Sequence, residues 1–114
     1  MQPIEAKIIQ DKLNDWKNKT VYLHLETTSG AYTGYRNESY TASAYIRNAK
    51  ITILDGKITG ANPYRIGLKT DIGWVYADGL NAYAIDEKDR LLLAGLDDKG
   101  KLAVCFELSD TPFE

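Results

Sequence analysis

Apolar residues near the start of the chain recur with the period of an α-helix. Across residues 3–19 they form one stripe, with charged and amide side chains on the other face: Ile4, Ile8, Ile9, Leu13 and Trp16. Pro3 suits the first turn of a helix, where its missing N–H has no intrahelical partner. The pattern predicts an amphipathic helix that packs its stripe on a sheet, although a helix that docks in a partner's groove has the same pattern.

From Thr20 onward the period changes to two, and β-branched or tyrosine-rich runs alternate with turn residues. All nine glycines lie beyond position 29. Such a pattern predicts an antiparallel meander of about seven or eight short strands. Because a flat sheet of this size would expose its edges, we expect a partly open barrel, a swapped sandwich or edge pairing in a dimer. Residues 1–114 then form one domain, with a helical segment at 1–19 and the β-meander at 20–114.

Two hairpins are predicted in the middle of the chain. In residues 50–60, Asp55-Gly56 is typical of a two-residue turn, which would pair Ile53 with Ile58. A second hairpin joins residues 64–69 to 74–77 through a turn at 70–73. The last strands are expected at residues 82–86, 91–94 and 102–108, with turns at 87–89 and 97–100.

Composition narrows the class of protein. With 44% hydrophobic and 26% charged residues, the 114-residue chain resembles a soluble globular protein. A net charge of −2 argues against a nucleic-acid footprint. The single cysteine, Cys105, excludes an intramolecular disulfide and fits a reducing compartment. With no basic, apolar leader and no long apolar run, the sequence predicts a cytoplasmic protein without a membrane span.

Polar side chains on three predicted strands are candidates for a binding site. Strand alternation places His24 with Glu26, Tyr45 with Arg47, and Arg65 opposite Ile66. If the strands bring these groups together, they form a small site for an anionic or polar ligand, with arginine as a carboxylate clamp. The commoner alternative is a solvated sheet face on which Glu26 and an arginine form a surface ion pair.

Metal, cofactor and thiol chemistry find little support in the sequence. His24 and Glu26 share a strand face, but zinc needs three or four ligands and the chain has no second histidine, so no metal and no cofactor are predicted. Cys105 has no basic neighbour in sequence to activate it, which favours a small packed residue. A general base at His24 would need a nearby nucleophile that the sequence does not reveal.

Several longer motifs resemble one family. They are HLETTSG at residues 24–30, AYIRNAK at 44–50, PYRIGLKTDIGWVYADGL at 63–80, DRLLLAG at 89–95 and GKLAV at 100–104. Over nearly the whole chain from Thr20, these runs are similar to the YojF family of small uncharacterised proteins from Bacillus-type Firmicutes, also described as a domain of unknown function. The resemblance implies a mainly β, partly open barrel or swapped sandwich that forms a homodimer in the cytoplasm.

The family has no established activity, so the resemblance supplies no catalytic residues. Its members commonly sit beside an LmbE-like deacetylase of the bacillithiol pathway, an associational argument for an accessory role in low-molecular-weight thiol metabolism. The substrate of that deacetylase resembles an amino sugar joined to malate, whose carboxylates would suit Arg47 and Arg65.

Three functional hypotheses follow. The first is a non-enzymatic accessory or small-ligand-binding protein, whose expected partners are a second copy of the chain, an LmbE-like deacetylase and a small anionic ligand. The second is an enzyme in which His24 and Glu26 act as an acid/base pair on an anionic substrate. The third is a single-stranded nucleic-acid-binding barrel, which the acidic charge balance ranks last.

Overall fold

The computed structural model describes residues 1–28 and 43–114. Within these ranges one helix and eight strands form: β1 (Gln2–Pro3), α1 (Ala6–Asp15), β2 (Thr20–Thr28), β3 (Ser43–Gly60), β4 (Tyr64–Thr70), β5 (Gly73–Leu80), β6 (Ala82–Ile85), β7 (Leu91–Leu96) and β8 (Leu102–Ser109). The predicted mainly β class with an N-terminal helix is confirmed. Gly30 and Gly34, two of the predicted turn residues, lie outside the described ranges.

All eight strands belong to one antiparallel sheet, in the order β1-β6-β7-β8-β2-β3-β4-β5. Among the described residues, no pairing between the edge strands β1 and β5 closes the sheet into a barrel. The sheet curls instead, so that β5 packs across β7 and β8. Its inward face and the apolar stripe of α1 enclose the core. The predicted partly open architecture is confirmed.

Helix α1 is shorter than predicted, because the chain before it belongs to the sheet. Pro3 pairs with Ala82 of β6 and therefore lies outside the helix. The apolar stripe is buried as predicted at four positions, Ile4, Ile9, Leu13 and Trp16. Ile8 differs from the prediction, since its side chain is exposed. Within residues 1–28 and 43–114, no helix has the length and apolar character needed to cross a membrane.

The Gln10 side chain joins the helix to β3 through two hydrogen bonds. Its amide donates to the Gly56 carbonyl oxygen at 2.9 Å and accepts from the Ile58 N–H at 3.1 Å. β2 pairs with β3 only as far as Thr52. The Gln10 amide therefore takes the place of a neighbouring strand and satisfies two main-chain groups of β3.

The predicted hairpin at residues 50–60 is wrong. These residues continue β3, a strand of 18 residues whose first part pairs with β2 and whose second part pairs with β4. Asp55-Gly56 does not form a turn, since Gly56 lies opposite Leu68 of β4. Gly56 instead lets the helix approach the strand, because a Cβ there would lie 3.5 Å from the Leu13 Cβ.

A β-bulge explains why these residues resemble a hairpin. Ile53 and Ile58 are five positions apart, so simple alternation would place them on opposite faces of a strand. A hairpin turn between them would bring both inward. A bulge does the same, and the register between β3 and β4 shifts between Ile53 and Asp55. Ile53 lies in the core, and the partly buried Ile58 packs against it.

The remaining predicted strands and turns are confirmed. β4 and β5 form the second hairpin, with Thr70 opposite Gly73. In each of the two later turns, an aspartate carboxylate accepts main-chain N–H bonds from the residues two and four positions further on. These contacts are from Lys88 and Arg90 to Asp86, and from Lys99 and Lys101 to Asp97, at 2.8–3.0 Å.

Gly95 allows β7 and the end of β5 to touch. A Cβ at position 95 would overlap the Gly79 carbonyl oxygen and lie 2.5 Å from the Val104 Cγ1. Because main chain and a buried side chain cannot move aside easily, Gly95→Ala should lower the free energy of unfolding by about 1–3 kcal/mol. Gly67→Ala is the matched control, since its Cβ would meet only the exposed ring of Tyr76. Urea unfolding curves would contradict the assignment if both variants lost the same stability.

Asp86 makes the stability of the fold depend on pH. Burial raises the pKa of its carboxyl, but hydrogen bonds from the main chain and guanidinium of Arg90 and from the Lys88 N–H outweigh burial and lower the pKa. A lowered folded-state pKa stabilises the fold above the unfolded value of about 4, and this stability is lost as the pH falls through the folded value. Asp86→Asn should therefore destabilise the protein at neutral pH, and by less at about pH 3. Asp98→Asn, in the other turn, is the control for urea unfolding at both pH values; an Asp86→Asn deficit that does not shrink at low pH would refute this role.

Candidate functional site

A second bulge, in the first part of β3, positions two of the predicted site residues. His24 of β2 faces two residues of β3, Arg47 and Asn48, because the register shifts between Leu23 and Leu25. Asn48 has a φ of 57°, a left-handed conformation that asparagine tolerates better than most residues. The bulge turns the Arg47 side chain outward over His24 while Ile51 remains in the core.

Four of the five predicted residues come together at this bulge, and we name them the His24 cluster: His24, Glu26, Tyr45 and Arg47. One Arg47 nitrogen lies 3.1 Å from His24 Nδ1. A guanidinium only donates hydrogen bonds, so Nδ1 is the acceptor and the ring proton is on Nε2. That nitrogen lies 3.7 Å from a Glu26 carboxylate oxygen, and the Tyr45 ring contacts the imidazole edge-on at 5.3 Å between centroids.

The C-terminal segment covers the His24 cluster. The Asn48 amide donates to the Phe113 carbonyl oxygen at 2.7 Å and accepts from the Phe113 N–H at 2.6 Å. The Phe113 ring then lies 6.1 Å from the His24 ring and 4.9 Å from the Arg47 guanidinium. Arg47 also donates to the main-chain oxygen of Glu114 at 2.7 Å. With this cover His24 is only 5% exposed, so acid/base chemistry at its ring would require Phe113 to move.

Strand β8 adds two further polar groups that the sequence analysis did not place in the site. In the register of β2 and β8, Glu107 lies opposite His24 and Cys105 lies opposite Glu26. Burial, and then the charges of Glu107 and Glu26, raise the pKa of the Cys105 thiol to about 12. The thiol is therefore protonated at neutral pH. One donor atom from each of His24, Cys105 and Glu107 lies within 4.8 Å of the others, so among residues 1–28 and 43–114 these three side chains form a group that could hold a metal ion.

Arg65 lies elsewhere in the molecule. It pairs with Thr59, twelve positions further along β3 than Arg47. Its Nε is 3.6 Å from an Asp78 carboxylate oxygen, and its guanidinium carbon is 4.4 Å from the centroid of the Tyr76 ring. Arg47 and Arg65, which were predicted to form one carboxylate clamp, therefore lie in separate parts of the molecule.

Arg65 lines an open cleft on the outer face of β3, β4 and β5, which we name the aromatic cleft. Its volume is about 330 Å³, and the residues that line it are Asp55, Gly56, Lys57, Thr59, Arg65, Gly67, Lys69, Trp74 and Tyr76. The Trp74 and Tyr76 rings are parallel, with centroids 6.2 Å apart. They are 64% and 48% exposed, unusually high for such large rings. Gly67 makes room for Tyr76, since a Cβ there would lie 3.0 Å from its ring.

The sequence contained a signal for this cleft. Simple alternation puts Arg65 and Lys69 on one face of β4, and Trp74 and Tyr76 on one face of β5. The two-residue turn between the strands sets Lys69 opposite Trp74, and the lysine nitrogen lies 5.7 Å from the indole centroid. Combining the two patterns through that turn would have predicted the cleft.

Comparison with known proteins gives consistent results along the chain. A family model described as a protein of unknown function (DUF1806) matches residues 3–113. The uncharacterized protein YojF of Bacillus subtilis (strain 168) is 48% identical over 114 residues, which cover 99% of this chain and 98% of that protein. The crystal structure of Bacillus subtilis YojF superimposes with a TM-score of 0.83 and 44% identity, over 99% of this chain and 96% of that one. The chain therefore belongs to the YojF family, whose function is unknown.

Proposed function

We propose that this protein is a non-enzymatic cytoplasmic protein that binds a small ligand in the aromatic cleft. The proposal rests on one observation: two exposed, parallel aromatic rings share a cleft with the cationic side chains of Lys57, Arg65 and Lys69. Aromatic faces bind flat or apolar surfaces, and cations bind anionic groups. The suitable ligand therefore has one apolar face and at least one carboxylate or phosphate.

The size of the cleft limits the ligand. A volume of about 330 Å³ is near the lower end of the range for small-molecule pockets, which is about 300–1,000 Å³. This suits a derivatised monosaccharide or a single nucleotide better than a dinucleotide.

Arg65 is held in place before the ligand arrives. Its guanidinium stacks on the Tyr76 ring and forms an ion pair with Asp78. Both contacts restrict the side chain, so less conformational entropy is lost when it binds a carboxylate. Arginine is also the side chain best suited to bidentate carboxylate contacts.

The family context suggests a particular ligand. An amino sugar joined to malate, the kind of compound that an LmbE-like deacetylase releases, has a sugar ring to stack on Trp74 and two carboxylates for Arg65 and Lys69. Arg47 has no part in this proposal, because it lies in the His24 cluster. We place the protein beside that deacetylase as an accessory of bacillithiol metabolism.

The enzyme hypothesis has less support. Arg47 occupies His24 Nδ1, and Nε2 faces Glu26 under the cover of Phe113. A substrate would have to displace the C-terminal segment to reach either nitrogen. The exposed rings of the cleft favour the third hypothesis, single-stranded nucleic-acid binding, because bases can stack on such rings. The ligand experiment therefore also tests a single-stranded oligonucleotide.

The first prediction from this proposed function concerns the ligand. Glucosaminyl malate should bind the wild-type protein in isothermal titration calorimetry, and Trp74→Ala and Arg65→Ala should each raise Kd about tenfold, the effect of losing about 1.4 kcal/mol. Malate and glucosamine should each bind more weakly than the joined compound, since each uses only part of the cleft.

The control variants also remove one aromatic ring and one cationic side chain, but outside the cleft. Tyr45→Ala removes an exposed ring and Lys88→Ala an exposed cation, and both should bind glucosaminyl malate like the wild type. The proposed ligand is wrong if the wild type shows no binding heat, or if Trp74→Ala binds normally. Salt-sensitive binding of a single-stranded oligonucleotide that Trp74→Ala abolishes would support the nucleic-acid hypothesis instead.

The second prediction concerns partners. The protein, used as bait in its native cell, should recover the LmbE-like deacetylase, and light scattering of the purified protein should give twice the mass of one chain. Trp74→Ala should recover the deacetylase equally well if the cleft serves the ligand alone. The accessory role loses its support if the deacetylase is detected in the lysate but not with the bait.

A further inference from the structure

We propose that β2 and β8 carry a binding site for a divalent transition-metal ion, with His24, Cys105 and Glu107 as ligands. One donor atom from each of these side chains lies within 4.8 Å of the others. The site differs from the aromatic cleft in position and in chemistry, so it does not depend on the proposed ligand-binding function.

The antiparallel register of β2 and β8 produces the donor set. Residues that face each other across two strands point to the same side of the sheet. His24 therefore lies beside Glu107, and Glu26 beside Cys105, in two adjacent rows. The histidine count excluded a metal at the sequence level, because the cysteine and the second carboxylate come from a strand about eighty positions further on.

The donor types indicate the class of metal. One imidazole nitrogen, one sulfur and one carboxylate oxygen suit Zn²⁺ and chemically similar ions better than Mg²⁺ or Ca²⁺. Zinc bonds of about 2.0–2.3 Å in a tetrahedron bring donors to about 3.3–3.8 Å from one another. The three side chains would therefore close in by about 1 Å. Glu26, with an oxygen 3.7 Å from His24 Nε2, is placed to act as a fourth ligand.

The charges of the group balance once a metal is bound. Glu26 and Glu107 contribute two negative charges and Arg47 one positive charge. A coordinated thiol gives up its proton to solvent, so the bound Cys105 is a thiolate. A divalent ion then leaves the group neutral, and no uncompensated charge is left beside the buried His24.

The hydrogen bond from Arg47 to His24 competes with metal coordination. Arg47 donates to His24 Nδ1 and so blocks that nitrogen. Coordination through Nε2 would move the ring proton to Nδ1, where two donors would then face each other. Metal binding at either nitrogen therefore requires Arg47 to leave His24. Its contacts with the Glu114 oxygen and the Phe113 ring remain available to hold it.

Cobalt is the probe for this site. Tag-free protein is treated with a chelator, desalted, kept reduced with a non-thiol reductant and titrated with Co²⁺. We expect one Co²⁺ ion to bind per chain. The spectrum should show a thiolate-to-cobalt charge-transfer band in the near ultraviolet and the visible bands of a four-coordinate ion. Added Zn²⁺ should displace Co²⁺ and remove these bands. Because Cys105 is the single cysteine of the chain, the charge-transfer band can be assigned to it.

Two ligand variants, one Arg47 variant and one control variant test the metal site. Cys105→Ser should abolish the charge-transfer band, and Glu107→Gln should weaken Co²⁺ binding about tenfold or more. Glu87→Gln, an exposed carboxylate in a turn, is the matched control and should bind like the wild type. Arg47→Gln should bind Co²⁺ several-fold more tightly, because it removes the cation that competes for His24.

The outcome separates the metal site from the aromatic cleft. Trp74→Ala, which should bind the sugar ligand about tenfold more weakly, should bind Co²⁺ normally. The metal site is refuted if the wild type shows no thiolate band at saturating Co²⁺, if Cys105→Ser binds with unchanged affinity, or if Arg47→Gln binds more weakly. The measurements on Cys105→Ser and on Arg47→Gln are independent of each other. If one of these variants fails to fold, the other still tests the metal site.

Discussion

The alternation of inward and outward side chains along strand β3 is reset at two bulges, one near Asn48 and one between Ile53 and Asp55. Without the bulge at Asn48, Arg47 would fall on the same face as Ile51 and Ile53, and its side chain would point away from His24. The register of β3 therefore decides which polar groups reach the outer surface.

Both candidate sites depend on these two bulges. The first gives Asn48 the conformation in which its amide holds Phe113, and it turns Arg47 toward His24. The second carries β3 from its pairing with β2 to its pairing with β4, whose outer face contains Arg65 and Lys69. One strand thus links a covered, hydrogen-bonded cluster at its start to an open aromatic cleft near its end.

Features encoded within a few residues could be predicted from the sequence. The helical stripe ending at Trp16, the β4–β5 hairpin and the outward position of Arg65 all follow from local periodicity and turn chemistry. Features that join distant residues could not. A hairpin and a bulge reverse alternation in the same way, so the reversal near Asp55 did not reveal which one forms. Likewise, nothing near His24 in the sequence indicates that Phe113 will cover it.

The contact between Gln10 and β3 has a consequence for solubility. Beyond Thr52 the main chain of β3 is no longer paired with β2, and an uncovered strand edge of this kind recruits strands from other molecules. Gln10 occupies the Gly56 oxygen and the Ile58 N–H, and the body of α1 lies over the same stretch. The short N-terminal helix therefore covers a strand edge that could otherwise pair with strands of other molecules, in addition to contributing Ile9 and Leu13 to the core.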